Sequence, residues 1–229
     1  MTTFGLVPGA CHGAWCFELL VPELRALGHE AIAVDLPCDD PAVDLEGYAD
    51  IATQALVGAP DDLVLVGHSL AAHTIPRVVR RRPVRTLVFL CGVIPPRAGE
   101  RNDDEPQLEE PGTFTGLRTD ELGRFSFPDP RDAIAAFYQD CEPELAAWAA
   151  ARLRPQSTTP HRTLNEPIDW PDMPCVSIVC GEDRVARAEW GRWAARERLL
   201  GAPVHELPGG HSPFVSRPAD LARLLAAVA

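Results

Sequence analysis

Short apolar runs alternate with helix-length segments in the N-terminal and C-terminal parts of this 229-residue chain. The apolar runs predict strands at Thr3–Val7, Ala31–Val34, Leu63–Val66, Thr86–Leu90, Val176–Cys180 and Val204–Leu207. The other segments predict helices at Trp15–Leu27, Asp44–Val57, Ser69–Arg82, Arg187–Leu200 and Pro218–Val228. Strands that alternate with helices form a mostly parallel sheet with helices on both faces, so we expect an α/β fold.

Residues 91–174 interrupt this alternation, because they are rich in proline and acidic residues and contain no convincing core strand. Helical patterns occur there only around Arg131–Tyr138 and Glu144–Leu153. We expect a cap (lid) at residues 91–174, inserted into a core made of residues 1–90 and 175–229. The acidic residues between Glu100 and Glu110 are expected to form a solvated loop.

Charge and composition exclude several classes of function. The formal net charge is −12, which disfavours nucleic acid and anionic membranes as partners. All 21 basic residues are arginine, so Schiff-base catalysis and a P-loop, which both need lysine, are excluded. No apolar stretch approaches the roughly 20 residues of a membrane-spanning helix, and we recognise no signal peptide.

The seven cysteines are scattered and form no CxxC pair, which argues against zinc and redox sites. Reduced thiols in a cytoplasmic protein are the simplest interpretation. We therefore predict no metal site, and the oligomeric state stays open, with a homodimer as one option.

The predicted strand Leu63–Val66 runs into Gly67, His68, Ser69 and then a helix, which is the context of a nucleophile elbow. The sharp turn requires small residues two positions before and after the nucleophile, and Gly67 and Ala71 meet that requirement. Of the six serines, only Ser69 has glycine at −2 and a small residue at +2. The alternative, a serine that only caps a helix, is less consistent with the strand before it.

A serine hydroxyl needs an adjacent base, and in elbow-type hydrolases the order is serine, acid, histidine. His211 follows the last predicted strand, so it is the candidate base. Asp183 follows the strand before it and is the candidate acid, with the neighbouring Glu182 as the alternative. His205 fits less well because it lies inside a predicted strand.

An oxyanion hole needs two backbone N–H groups directed at the developing negative charge. Leu70, directly after the candidate nucleophile, supplies one of them. The other is expected from the loop after the first strand, where Ala10 follows Gly9.

Several segments share the pattern of one known family. They are Leu6–Cys16 (LVPGACHGAWC), Gly67–Leu70, Val88–Leu90, Phe137–Cys141 and Leu153–Pro155. Over nearly the whole chain they resemble the plant methyl-ester esterase and hydroxynitrile lyase family and its bacterial relatives. The resemblance implies a lidded α/β-hydrolase fold acting on small, largely apolar carboxylic esters without a cofactor, and it supports the same triad and oxyanion residues.

Two positions depart from the family pattern. Pro8 stands where the family usually has histidine, and Ala71 stands where it usually has glycine. Proline fixes φ and removes a donor, so the loop hydrogen bonds must differ. Neither change removes a member of the triad.

The same resemblance separates esterases from lyases. Hydroxynitrile lyases of this family carry threonine at the position of Gly9 and lysine directly after the catalytic histidine, where this chain has Ser212. The prediction is therefore a serine esterase that forms an acyl-enzyme. A lyase or cyclase using the same triad, and a non-catalytic protein that binds a small ligand, remain alternatives.

The sequence does not name the substrate. His12, Phe137 and Trp148 are the candidate substrate contacts. Further aromatic residues could line a pocket or belong to the core. They are Phe114, Phe125, Phe127, Tyr138 and Trp170.

Overall fold

The computed structural model describes residues 1–97, 104–169 and 171–229. The strands in chain order are β1 (Thr3–Val7), β2 (Glu30–Ala33), β3 (Val64–His68), β4 (Thr86–Leu90), β5 (Arg118–Thr119), β6 (Arg124–Ser126), β7 (Gln156–Ser157), β8 (Cys175–Cys180) and β9 (Val204–Leu207). Six of them form the main sheet in the order β2-β1-β3-β4-β8-β9, and each pairs in parallel with its neighbours. The predicted α/β fold is confirmed.

Helices cover both faces of the main sheet. The helices in chain order are α1 (Leu20–Ala26), α2 (Leu45–Ala55), α3 (Ile75–Val79), α4 (Pro130–Phe137), α5 (Pro143–Ala150), α6 (Ala188–Glu197), α7 (Pro213–Ser216) and α8 (Pro218–Val228). Helices α1 and α8 share a core cluster with Leu6 and Val66, whereas α2, α3 and α6 pack with Leu65 and Phe89. Successive residues of a strand point to opposite faces, so each strand supplies both clusters. None of the described helices is both long enough and apolar enough to cross a membrane.

The segment between β4 and β8 adds no strand to the main sheet among its described residues. It carries helices α4 and α5, close to the two predicted helical stretches, and a small antiparallel sheet in the order β5-β6-β7. The strands of that sheet are two or three residues long, too short to show a period-2 pattern in the sequence.

The described acidic residues after position 103 lie in an exposed loop that also contacts helix α6. Glu105 accepts hydrogen bonds from the Trp190 indole at 2.9 Å and from the Arg198 guanidinium at 3.1 Å. Asp104 accepts from the Trp193 indole at 3.3 Å. The Arg198 side chain is only 6% exposed, and its charge requires a nearby carboxylate. These two acidic residues therefore bind helix α6 while they stay exposed, as Glu109 and Glu110 do. Asp103 lies outside the described residues.

Candidate active site

Ser69 occupies a strained turn at the carboxyl end of β3. Its φ is +52°, a left-handed conformation that non-glycine residues adopt mainly where the surrounding structure enforces it. A Cβ on Gly67 would lie 2.8 Å from Ile75 Cγ2 and 2.9 Å from the Ala71 carbonyl oxygen. The turn thus accepts only glycine at position 67, as the elbow pattern requires.

His211 and Asp183 form a buried hydrogen-bonded pair. The His211 Nδ1 to Asp183 Oδ2 distance is 2.8 Å, and the two side chains are 1% and 0% exposed. The other carboxylate oxygen, Oδ1, accepts from the backbone N–H groups of Val185 at 2.8 Å and Ala186 at 2.9 Å. Glu182 is exposed. Because a carboxylate only accepts, Nδ1 carries the imidazole proton of the neutral ring, which leaves the Nε2 lone pair available as a base.

One cavity of about 300 Å³ brings Ser69, His211, Ala10 and Leu70 together. Its remaining lining residues are Val93, Leu108, Glu109, Phe114, Leu117, Phe125, Phe137, His161, Leu164 and Val185. Five of the lining residues lie outside residues 91–174. Four of these five, all except Val185, are site residues that the sequence predicted. The wall is mainly aliphatic and aromatic, which suits an apolar ligand.

The three candidate substrate contacts lie in different places. Phe137 lines the cavity and its ring lies 5.9 Å from that of His211. Among the described lining residues, neither His12 nor Trp148 is found. Trp148 packs edge-on against Trp15 with ring centroids 5.7 Å apart, and the Arg152 guanidinium covers it at 4.2 Å.

Of the other aromatic candidates, some line the cavity and others lie away from it. Phe114 and Phe125 line the cavity, whereas Phe127 packs behind them against the Phe137 ring at 5.6 Å. The Tyr138 hydroxyl is buried and bonds to His12 Nε2 at 2.8 Å. Trp170 lies outside the described residues.

Sequence reasoning missed three residues near the candidate triad. His68 Nε2 donates to the His211 carbonyl oxygen at 3.0 Å, which ties the β3 turn to the loop that carries His211. Cys91 follows β4, and its sulfur lies within 4.8 Å of a carboxylate oxygen of Asp183 and a ring nitrogen of His211. His161 lines the cavity near Phe125. Cys91 could have been predicted, because it directly follows a core strand and the carboxyl ends of parallel strands meet at one edge of the sheet.

Comparison with known proteins agrees with this arrangement. The model of a family described as the alpha/beta hydrolase family matches residues 6–224, which is nearly the whole chain. The chain belongs to the alpha/beta hydrolase family. The superfamily expected from the sequence is confirmed.

This α/β-hydrolase is similar to plant and bacterial proteins over almost its full length. It is 28% identical to Methylesterase 3 of Arabidopsis thaliana, with 98% of this chain and 94% of the relative covered. It is 26% identical to Salicylic acid-binding protein 2 of Nicotiana tabacum, with coverage of 99% and 96%. The structure of a pyrethroid hydrolase from Sphingobium faniae JZ-2 matches with a TM-score of 0.80 and 25% identity, covering 99% of this chain and 96% of that one.

Buried histidines make the stability of this α/β-hydrolase sensitive to acid. Burial lowers the pKa of His12 from 6.5 to about 4 and that of His73 to about 3, and it also lowers the pKa of His68. The unfolded chain therefore binds more protons than the folded one once the pH falls below 6.5. The free energy of unfolding should decrease from pH 6.5 towards pH 4, by about 1.4 kcal/mol per pH unit for each histidine.

Urea unfolding at several pH values measures this slope. His73→Leu removes one ionisable group and should make the decrease with falling pH shallower. A free energy of unfolding that stays constant between pH 6.5 and pH 5 contradicts the assignment of neutral buried histidines.

Proposed function

We propose that this chain is a carboxylic-ester hydrolase in which Ser69 is the nucleophile, His211 the general base and Asp183 the acid that orients it. The observation that carries the proposal is the 2.8 Å bond between His211 and Asp183. His211 lines the same cavity as Ser69, and the Ser69 backbone has the strained conformation of an elbow nucleophile.

The proposed reaction proceeds in two halves. Ser69 Oγ attacks the ester carbonyl carbon while His211 Nε2 takes its proton, and the N–H groups of Ala10 and Leu70 stabilise the oxyanion. The carbonyl re-forms as the alcohol leaves with the proton held by His211. Water then attacks the acyl-enzyme with His211 again as base, which releases the carboxylic acid and restores Ser69.

The proposed substrate is a small, largely apolar ester. Nine of the fourteen lining residues come from residues 91–174, and most of these nine are aliphatic or aromatic. The one carboxylate of the described lining belongs to Glu109, which is exposed, so an anionic substrate would be repelled at that point. We further propose that residues 91–174 form a cap over a core of residues 1–90 and 175–229.

The relatives support ester hydrolysis. One is named a methylesterase and one matching structure is that of a pyrethroid hydrolase, and both matches extend over nearly the whole length of the chain. The sequence composition supports a cytoplasmic protein, because the seven cysteines form no motif of a secreted disulfide framework. A homodimer remains an option that light scattering can test.

Position 9 separates the esterase from the lyase alternative. A Cβ on Gly9 would lie 2.8 Å from both Ser69 Cβ and His68 Nδ1, so this turn has no space for the threonine of the lyases. Ser212 is buried and offers no positive charge to a leaving cyanide. We expect hydrolysis of short-chain aryl esters such as p-nitrophenyl butyrate and at most trace cleavage of mandelonitrile.

Assays of both substrates on one preparation decide between the two activities. Efficient cyanide release together with negligible ester turnover contradicts the esterase proposal and favours the lyase. A fluorophosphonate probe tests the binding-protein alternative, since only an activated serine is labelled. Absence of labelling at Ser69, together with no turnover of any ester, favours that alternative.

A further inference from the structure

His12 lies behind the cavity and is almost completely enclosed, with 1% of its surface exposed. Its Nδ1 donates to the Ala10 carbonyl oxygen at 2.7 Å, and its Nε2 lies 2.8 Å from the Tyr138 hydroxyl. Both nitrogens are therefore occupied by protein groups. The rings of Phe137 and Phe214 lie 5.5 and 5.9 Å away and hold the imidazole edge-on.

The position of each proton in this chain of bonds follows from its partners. The Ala10 carbonyl can only accept, so Nδ1 carries a proton. Burial lowers the pKa of His12 to about 4, so the ring is neutral near pH 7 and has a single N–H. Nε2 is then an acceptor, and the Tyr138 hydroxyl donates to it. Burial also raises the pKa of Tyr138, which keeps its proton.

The loop that ends in His12 needs external support. Cys11 has a φ of +65°, which is unfavourable for a residue with a Cβ. Its N–H donates to Gln156 Oε1 at 3.2 Å, and its carbonyl oxygen accepts from the Arg154 N–H at 2.9 Å. Together with Tyr138, these residues of the 91–174 segment fix a loop that belongs to the β1 end of the sheet.

We propose that Tyr138 and His12 are a positioning pair that holds Ala10 in place for the oxyanion hole. The bond from His12 to the Ala10 carbonyl restrains the backbone torsions of Ala10 and thereby the direction of its N–H. Neither side chain is among the described residues that line the cavity, so the pair acts through Ala10. The inference rests on the proposed function, because only a reaction that develops an oxyanion makes the direction of this N–H important.

Substitutions of the two residues test the pair. Tyr138→Phe removes the hydroxyl alone and should lower kcat about 10-fold with little change in KM, because the loss falls on the transition state. His12→Leu also removes the donor to Ala10 and should lower kcat by about 100-fold. His12→Asn can still donate an amide N–H to the Ala10 carbonyl, so its kcat should lie between those of the leucine variant and the wild type.

A transition-state analogue separates positioning from a merely structural role. Phenylboronic acid forms a tetrahedral adduct with the serine and places one oxygen in the oxyanion hole. In each variant its Ki should rise by the same factor by which kcat/KM falls. The matched control is Tyr48→Phe, since the Tyr48 hydroxyl bonds to Gln156 Nε2 at 3.2 Å and Gln156 keeps a second bond to the Ser157 carbonyl at 2.9 Å. The control should lose stability without a change in Ki.

Two results overturn the inference. One is a wild-type Ki and kcat in folded Tyr138→Phe and His12→Leu. The other is an equal rise in Ki for Tyr48→Phe and Tyr138→Phe, which indicates general loosening of the fold. Failure of the proposed function gives a different pattern, since Ser69→Ala then retains activity and phenylboronic acid does not inhibit the wild type.

Discussion

Ser69→Ala should lower kcat by about 10³–10⁶-fold, because in the proposed mechanism the hydroxyl oxygen forms the covalent bond to the acyl group. The side chain loses a single oxygen at a turn in which Ile75 and Ala71 leave no space for a Cβ on Gly67. The fold should therefore persist. Steady-state hydrolysis of p-nitrophenyl butyrate, together with circular dichroism, measures both expectations.

The matched control is Ser126→Ala in β6, which removes a hydroxyl that does not line the cavity. It should retain wild-type activity. More than a tenth of the wild-type rate in Ser69→Ala contradicts the assignment of the nucleophile. A fluorophosphonate probe adds an independent measurement, since it should label the wild type and the Ser126 variant but not the Ser69 variant.

Asp183→Asn should lower kcat by about 10⁴-fold while changing almost no volume. An amide that donates to His211 Nδ1 forces the ring into the tautomer that carries its proton on Nε2, where it can no longer accept from Ser69. His211→Ala removes the base altogether and should cause a loss at least as large. Both variants are measured by kcat/KM on the same ester.

Two neighbours serve as controls for this pair. Glu182→Gln changes an exposed acid directly before Asp183, and His205→Ala changes a half-buried histidine within β9. Both should retain activity. If Glu182→Gln is inactive and Asp183→Asn is not, the acid is Glu182, and the same comparison applies to His205 and His211.

The main sheet was predictable because its strands are short, apolar and bounded by turn residues. The helix limits were less predictable. The segment predicted as one helix from Ser69 to Arg82 is a 3₁₀ turn at Ser69–His73 followed by α3. Pro76 lacks an N–H and so cannot continue a helical ladder begun at Ser69. The segment predicted as one helix from Trp15 to Leu27 is also shortened, because α1 begins only at Leu20, with Pro22 in its first turn.

The proposed triad was predictable for a different reason. Parallel strands bring their carboxyl ends to one edge of the sheet, so Ser69, Asp183 and His211 meet once the strands before them are identified. The cavity wall lacks such a rule, because residues 91–174 follow no strand periodicity. The bond between His12 and Tyr138 joins positions 126 residues apart. A single sequence contains nothing that pairs two such residues.

The support of the Ala10 loop by Tyr138, Arg154 and Gln156 limits how this enzyme can acquire new substrates. Insertions between β4 and β8 can change the cavity wall, but the same stretch of chain also holds the loop that carries Ala10. A chimera that receives this stretch from a distant relative should therefore lose turnover as well as change its preference. A chimera should keep more of its turnover where the donor segment has a hydroxyl at the position of Tyr138.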